Sequence, residues 1–185
     1  MAIVKTNINY TYDIMISNIY ELNTLYPFLQ VQIEGFSVLG KPIPVIRLGR
    51  GSKHVFYAGS FHANEWITSV LLMKFIEDYS ISYVNNSMLF GYKVRNLFNS
   101  CSIYIMPMVN PDGVNLVTGY YGLNTDVYDS FKNISLKYPS IPFPSGWKAN
   151  FNGVDLNLQF PARMGTGKRN KIFTGIYPDL VHETL

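Results

Sequence analysis

The sequence predicts an α/β fold in which a mixed, mostly parallel sheet is flanked by helices, and three observations predict it. Segments of helical and of extended periodicity alternate along the chain. Two extended runs, 54–59 and 102–106, are apolar almost throughout, as strands covered on both faces are. Upstream, two alternating runs flank a Gly/Pro turn and add an antiparallel hairpin.

In chain order, the first helix falls over 12–26, where Met15, Ile19, Leu22 and Tyr26 recur at helical spacing. Thr11 or Asp13 caps it and Pro27 stops it. The hairpin strands are 31–36 and 43–48, around Leu39-Gly40-Lys41-Pro42. After the buried strand 54–59 the pattern turns helical over 65–79. There Ile67, Leu71 and Phe75 stack on one side, while Lys74, Glu77 and Asp78 form a narrow polar stripe, which predicts a mostly covered helix. A short helix near 92–98 leads into strand 102–106, and Asn110-Pro111-Asp112-Gly113 reads as a turn. Residues 118–147 are rich in Tyr, Pro, Gly and Ser and show no sustained period, so they read as a long functional or mobile loop.

Composition narrows the function classes. With 185 residues, 48% of them hydrophobic and 15% charged, the chain suits one globular domain. A net charge of +3, with scattered Lys and Arg, does not make a nucleic-acid surface. No run approaches the roughly 18 apolar residues of a membrane span. The opening residues turn polar at once, so no secretory signal peptide is read and a cytoplasmic location is expected. The single cysteine, Cys101, excludes a disulfide framework within the chain.

The chemistry concentrates in Gly59-Ser60-Phe61-His62-Ala63-Asn64-Glu65-Trp66, where a buried strand gives way to a helix. In open α/β sheets ligands bind at that carboxyl end. An imidazole and a carboxylate three residues apart across such a turn converge readily, and both are zinc ligands. The same pair also suits a core histidine beside a helix-capping glutamate, and spacing alone does not separate the two. Asp155 stands among apolar neighbours in Gly153-Val154-Asp155-Leu156-Asn157. An acid there needs a compensating partner. It suits the carboxylate that holds a metal-bound histidine in one tautomer, and equally a turn residue bonded to local amides.

Taken together, FHANEWIT, PMVNPDGV and WKANFNGVDLN resemble, in order, three motifs of the zinc carboxypeptidase superfamily. Within it, about 10–162, including YPFLQVQIEGFSVLGKPI, is similar to the bacterial γ-D-glutamyl-L-diamino acid endopeptidase branch, which cleaves peptidoglycan stem peptides. The resemblance implies the superfamily's phosphorylase/hydrolase-like sheet, a zinc cofactor, a peptide or muropeptide substrate, and His62 and Glu65 as the first two metal ligands. It supports Asp155 behind His62 and places Asn157 at the contact with the substrate's terminal carboxylate. Leu158 and Asn64 stand where many carboxypeptidases carry arginines. Leucine cannot grip a carboxylate through two parallel bonds, which speaks against C-terminal exopeptidase specificity. The resemblance implies a further, carbonyl-polarising arginine shortly before Asp-Leu-Asn, but the nearest positions here are Lys148 and Asn152; Lys148 is a substitute cation for a developing oxyanion, or else a solvated surface lysine.

A catalytic zinc of this type takes two His and one Glu. His54 starts the strand whose far end carries His62, too distant at about 3.3 Å per residue to share an ion. His182 and Glu183, in LVHETL, have no family motif around them. A third ligand and a general-base glutamate are therefore unassigned. The expected division is 1–162 as the amino-terminal part of a catalytic domain and 163–185 as a divergent tail, from a fragment or a frame disruption near Ala162. The leading expectation is a zinc metallopeptidase that is weak or inactive alone. The alternatives are a zinc N-acyl-amino-acid hydrolase and a non-catalytic cell-wall-peptide binder. A cell-wall substrate would instead place an active enzyme outside the cell or in a sporulation compartment.

Overall fold

A computed structural model describes residues 2–160. Helix α1 (Tyr12–Leu25) begins at Thr11, whose side chain accepts from the Ile14 amide, and it buries Met15, Ile19 and Leu22 as the spacing predicts. Strands β1 (Gln30–Phe36) and β2 (Pro42–Gly49) form the hairpin, with a register shift between Ile33 and Gly35. β3 (Lys53–Ala58) leads through a 3₁₀ turn, Ala63–Glu65, into α2 (Ile67–Val84). A two-residue-per-strand hairpin, β4 (Met88–Leu89) and β5 (Tyr92–Lys93), precedes α3 (Val94–Ser100) and β6 (Cys101–Met106).

The main sheet runs β1-β2-β6-β3 and is mixed, as expected. The prevalence of parallel pairs is not found among the described strands: β1/β2 and β2/β6 are antiparallel and only β3/β6 is parallel. A parallel pair needs a crossover, and the described residues contain one, through α2 and α3, while the hairpin supplies antiparallel neighbours.

Helices α1, α2 and α3 cover one face of the sheet. Met15, Leu22, Met73, Ile76 and Phe98 join Ile46, Leu48 and Ile105 in one buried cluster. Here three expectations are corrected. Helix α2 turns Val70, Met73, Ile76 and Tyr79 inward and leaves Ile67 and Leu71 exposed. Glu77, read as part of a narrow polar stripe, is buried because Ile3 N and Lys74 Nζ donate to its carboxylate at 2.6 and 2.9 Å. Strand β3, read as covered on both faces, lies at the edge of the sheet among the described residues, with Phe56 57% and Tyr57 48% exposed there.

The stretch after β6 is also more ordered than its composition suggests. Asn110 caps α4 (Pro111–Val117), with proline at the first helical position, so the Asn-Pro-Asp-Gly signal marks a helix start. Within 118–147 lies α5 (Asp126–Ser135), capped by Thr125. It carries Phe131 into a second buried cluster with Ala63, Leu116, Tyr138, Trp147 and Ala149. No helix among the described residues is long and apolar enough to cross a membrane.

Candidate metal centre

At the end of β3 the chain passes close beneath its neighbour. A Cβ on Gly59 would lie 2.7 Å from the Pro107 carbonyl oxygen, so only glycine fits. Ser60 then adopts a left-handed conformation at φ 52. Its amide donates to Thr68 Oγ1 at 2.8 Å, and its hydroxyl lies 2.6 Å from that of Ser69, which donates to Pro107 O. These bonds turn the chain sharply and set His62 at the mouth of the turn, before Ala63–Glu65.

The three residues of central interest meet there. His62 Nδ1 lies 3.0 Å from Glu65 Oε1, and His62 Nε2 lies 3.2 Å from Asp155 Oδ1. Asp155 is fully buried and also accepts from the Asn157 amide, so it caps the short 3₁₀ turn Leu156–Leu158 as well as holding the imidazole. The Glu65 side chain is about half exposed (51%), which leaves this side of the pair open. The hydrogen bond to Asp155 raises the pKa of His62 above its ordinary value; burial opposes this and the Glu65 carboxylate adds to it.

The segment bearing Asp155 is tied to the turn bearing His62 by backbone bonds. Ala63 N donates to Lys148 O at 3.1 Å and Asn64 N to Trp147 O at 3.0 Å. Asn110 is buried between them: its Nδ2 donates to Lys148 O and Ala149 O at 3.2 and 3.1 Å, and its Oδ1 accepts from Gly113 N. Gly113 permits this approach, since a Cβ there would meet Ala63 Cβ at 2.7 Å and Ala149 O at 2.8 Å. Sequence reasoning missed Asn110 and Gly113 as organisers of the site. Their signal was the Asn-Pro-Asp-Gly run, read only as punctuation.

The remaining candidates fall as follows. Asn157 is exposed on the 3₁₀ turn next to Asp155. Lys148 is half-buried and enters the site's framework through its carbonyl. His54 stands at the other end of β3, edge-on to Tyr104 at 5.7 Å between ring centres. His182 and Glu183 lie outside the described residues.

The donor geometry fits a metal. Two ligand atoms about 2.0–2.1 Å from one tetrahedral zinc lie about 3.3 Å apart, close to the separation of Nδ1 and Oε1. The carboxylate behind the other ring nitrogen is the arrangement that fixes a ligating histidine. Among the described residues no group of three or more His, Cys, Asp or Glu is arranged to hold an ion. The zinc carboxypeptidase family profile matches residues 15–183, nearly the whole chain. The chain belongs to the zinc carboxypeptidase family.

A γ-D-glutamyl-L-diamino acid endopeptidase of Lysinibacillus sphaericus is 48% identical over 157 residues, which are 84% of this chain and 38% of that protein. An uncharacterized protein of Bacillus subtilis, YqgT, is 39% identical over 83% of this chain and 43% of its own length. The crystal structure of thrombin-activatable fibrinolysis inhibitor superposes with a TM-score of 0.61 at 19% identity, over 88% of this chain and 38% of that one, and shows the shared fold. The chain therefore spans less than half the length of the curated relatives it matches. The family it belongs to is that of the zinc carboxypeptidases, whose peptidase chemistry is zinc-dependent.

Proposed function

We propose that this chain is the amino-terminal part of a zinc metallopeptidase acting on γ-D-glutamyl–diamino acid bonds of cell-wall peptides. The observation that carries the reading is the convergence of His62 Nδ1 and Glu65 Oε1 with Asp155 behind the imidazole. The name of the 48%-identical Lysinibacillus endopeptidase supports the substrate class. His62 and Glu65 would hold the zinc, and Asp155 keeps the His62 proton on Nε2 so that Nδ1 faces the ion. The bound ion supplies a Lewis acid that lowers the pKa of water and polarises a carbonyl. Exposed Asn157 and the Lys148 ammonium are the groups proposed to meet the substrate. Leu158, in place of a guanidinium, leaves no bidentate grip for a free terminal carboxylate, which favours internal over C-terminal cleavage.

We further propose the division at residue 162, with 163–185 divergent although the family match runs to 183. With two protein ligands among the described residues, the chain alone is expected to bind zinc weakly and to hydrolyse muropeptides very slowly or not at all. Zinc titration of wild type and His62→Ala, paired with a muropeptide hydrolysis assay, tests this. Weak binding lost on His62→Ala, with negligible turnover, is the expected result. Equal zinc uptake by the variant would remove the site, and robust turnover would refute the incomplete centre.

A further inference from the structure

The β1–β2 turn is fastened to α4 by one side chain. Asp112, the second helical residue of α4, is 1% exposed, and its carboxylate takes three donors from that turn. Ser37 Oγ and Lys41 Nζ donate to Oδ1 at 3.0 and 3.3 Å, and the Leu39 amide donates to Oδ2 at 3.0 Å. Among the described residues no other hydrogen bond joins residues 37–41 to α4. Lys41 Nζ also donates to the Tyr121 hydroxyl at 2.7 Å, and Tyr121 packs on the second cluster. A carboxylate this deep is costly without such partners. Two residues upstream, Asn110 gives its side chain to the candidate site, with Nδ2 donating to Phe61 O as well as to Lys148 O and Ala149 O. Pro111 between them has its φ fixed by its ring, and Val114 N donates to Asn110 O at 3.0 Å, so both side chains belong to one stiff turn.

We propose that Asp112, paired with Lys41, is a positioning residue for the His62–Asp155 pair. The three bonds from the β1–β2 turn fix the first turn of α4, and with it Asn110. Asn110 then bridges the segment that leads to Asp155 and, at Phe61 O, the residue before His62. The imidazole and carboxylate that meet at 3.2 Å stand 93 residues apart in the chain, so nothing local sets their approach. Their bond is only as precise as the framework that joins the two segments. The functional meaning of this role rests on the peptidase reading, but the geometry does not, and a readout on the metal-free chain lets the two fail separately. A buried ion pair that merely held the fold would lower stability without altering that bond in the folded chain.

Nitrogen-15 NMR of the His62 ring, with hydrogen exchange of the Ala63 and Asn64 amides relative to those of β2 and β6, tests this on the full chain without metal. The wild type is expected to show a slowly exchanging Nε2 proton bonded to Asp155. Lys41→Met leaves Asp112 its other two donors and should speed relative exchange at Ala63 and Asn64 by about 2- to 30-fold, with the Nε2 proton weakened. Asp112→Ala removes the grip and should do more; if it fails to fold, Lys41→Met decides. Lys41→Arg keeps the charge and the donors and is expected to restore the wild-type signals. Met15→Ala empties a fully buried position of the first cluster, and should lower Tm while leaving the Nε2 proton in place. A Lys41→Met chain whose Nε2 proton and two amides match the wild type, whatever its Tm, overturns the proposal. So does acceleration spread evenly over β2, β6 and the site, because the pair would then hold the fold and not the site. A wild type with no proton held at Nε2 overturns it as well. The zinc titration of His62→Ala can fail with every one of the expected signals intact.

Discussion

The two hydrophobic clusters of this chain differ in what holds them together, and the proposed metal pair, His62 and Glu65, lies on their seam. The first is made of helices and strands whose apolar residues recur at regular spacing, such as Met15, Ile19 and Leu22 against Ile46 and Ile105. The second is built from aromatic residues at irregular intervals, with Phe131, Phe143 and Trp147 meeting edge to face at centroid distances of 5.9–6.3 Å from the indole. β3 and α2 carry His62 and Glu65 in from the first cluster. Ala63, between them, packs into the second, and Asp155 follows a segment anchored there by Trp147 and Ala149. A site divided in this way needs both clusters, although its two proposed ligands sit on one turn.

The largest expected effect comes from emptying the second cluster. Trp147 is 1% exposed, and Trp147→Ala should cost about 3–5 kcal/mol. The loss should be local. Amide exchange in 147–158 is expected to accelerate most, while the amides of β2 and β6 keep their protection. Zinc affinity should fall although His62 and Glu65 are unaltered, because the segment bearing Asp155 loses its anchor. Uniform acceleration across both clusters would show that they open as one unit, and the distinction between them would go.

That difference also explains which parts of the molecule were legible in the sequence. Helix α1, the β1–β2 hairpin and the His62/Glu65 turn follow from periodicity, Gly/Pro punctuation and residue chemistry, and all three stand in the structure. Helix α5 was hidden because its short segment lies among Tyr, Pro and Gly, and its packing rests on one deeply buried ring, Phe131. Glu77 misled because an ion pair and a distant amide, from Lys74 and Ile3, compensate for its burial, and pattern alone does not show partners. β3 was read as interior from its apolar run, and in the described residues its outer side meets no strand. The run records an affinity for cover, which periodicity detects without naming the occupant.

A smaller and more specific effect separates the two roles open to Asp155. Asp155→Asn keeps the size and an acceptor oxygen and deletes the charge behind His62. If the carboxylate orients and polarises the imidazole, zinc binding should weaken by about 10–100-fold in a calorimetric titration. If it serves only to cap Leu156–Leu158 through the Asn157 amide, affinity should stay within about twofold, since asparagine caps as well as aspartate does. The first outcome is expected, because the bond to Asp155 is the foremost cause of the raised His62 pKa.

The smallest effect, and the most diagnostic of the seam, is a divergence with pH between the metal-free and zinc-loaded chain. Without metal, the bond to Asp155 and the Glu65 carboxylate raise the folded pKa of His62 above its unfolded value. That contribution to stability is therefore full below the unfolded histidine pKa, near 6.5, and is lost as pH rises through the folded value. Zinc needs the neutral ring, so its affinity should move the other way and rise through the same folded value. The gain in Tm on adding zinc should thus widen with increasing pH above about 6.5 in thermal melts run with and without the ion. Asp155→Asn removes the largest raising influence, so the onset of the widening should shift to lower pH. A gain in Tm that is flat with pH would mean that the ion and the proton do not compete for His62 Nδ1, and the convergence of imidazole and carboxylate would then be an ion pair and nothing more.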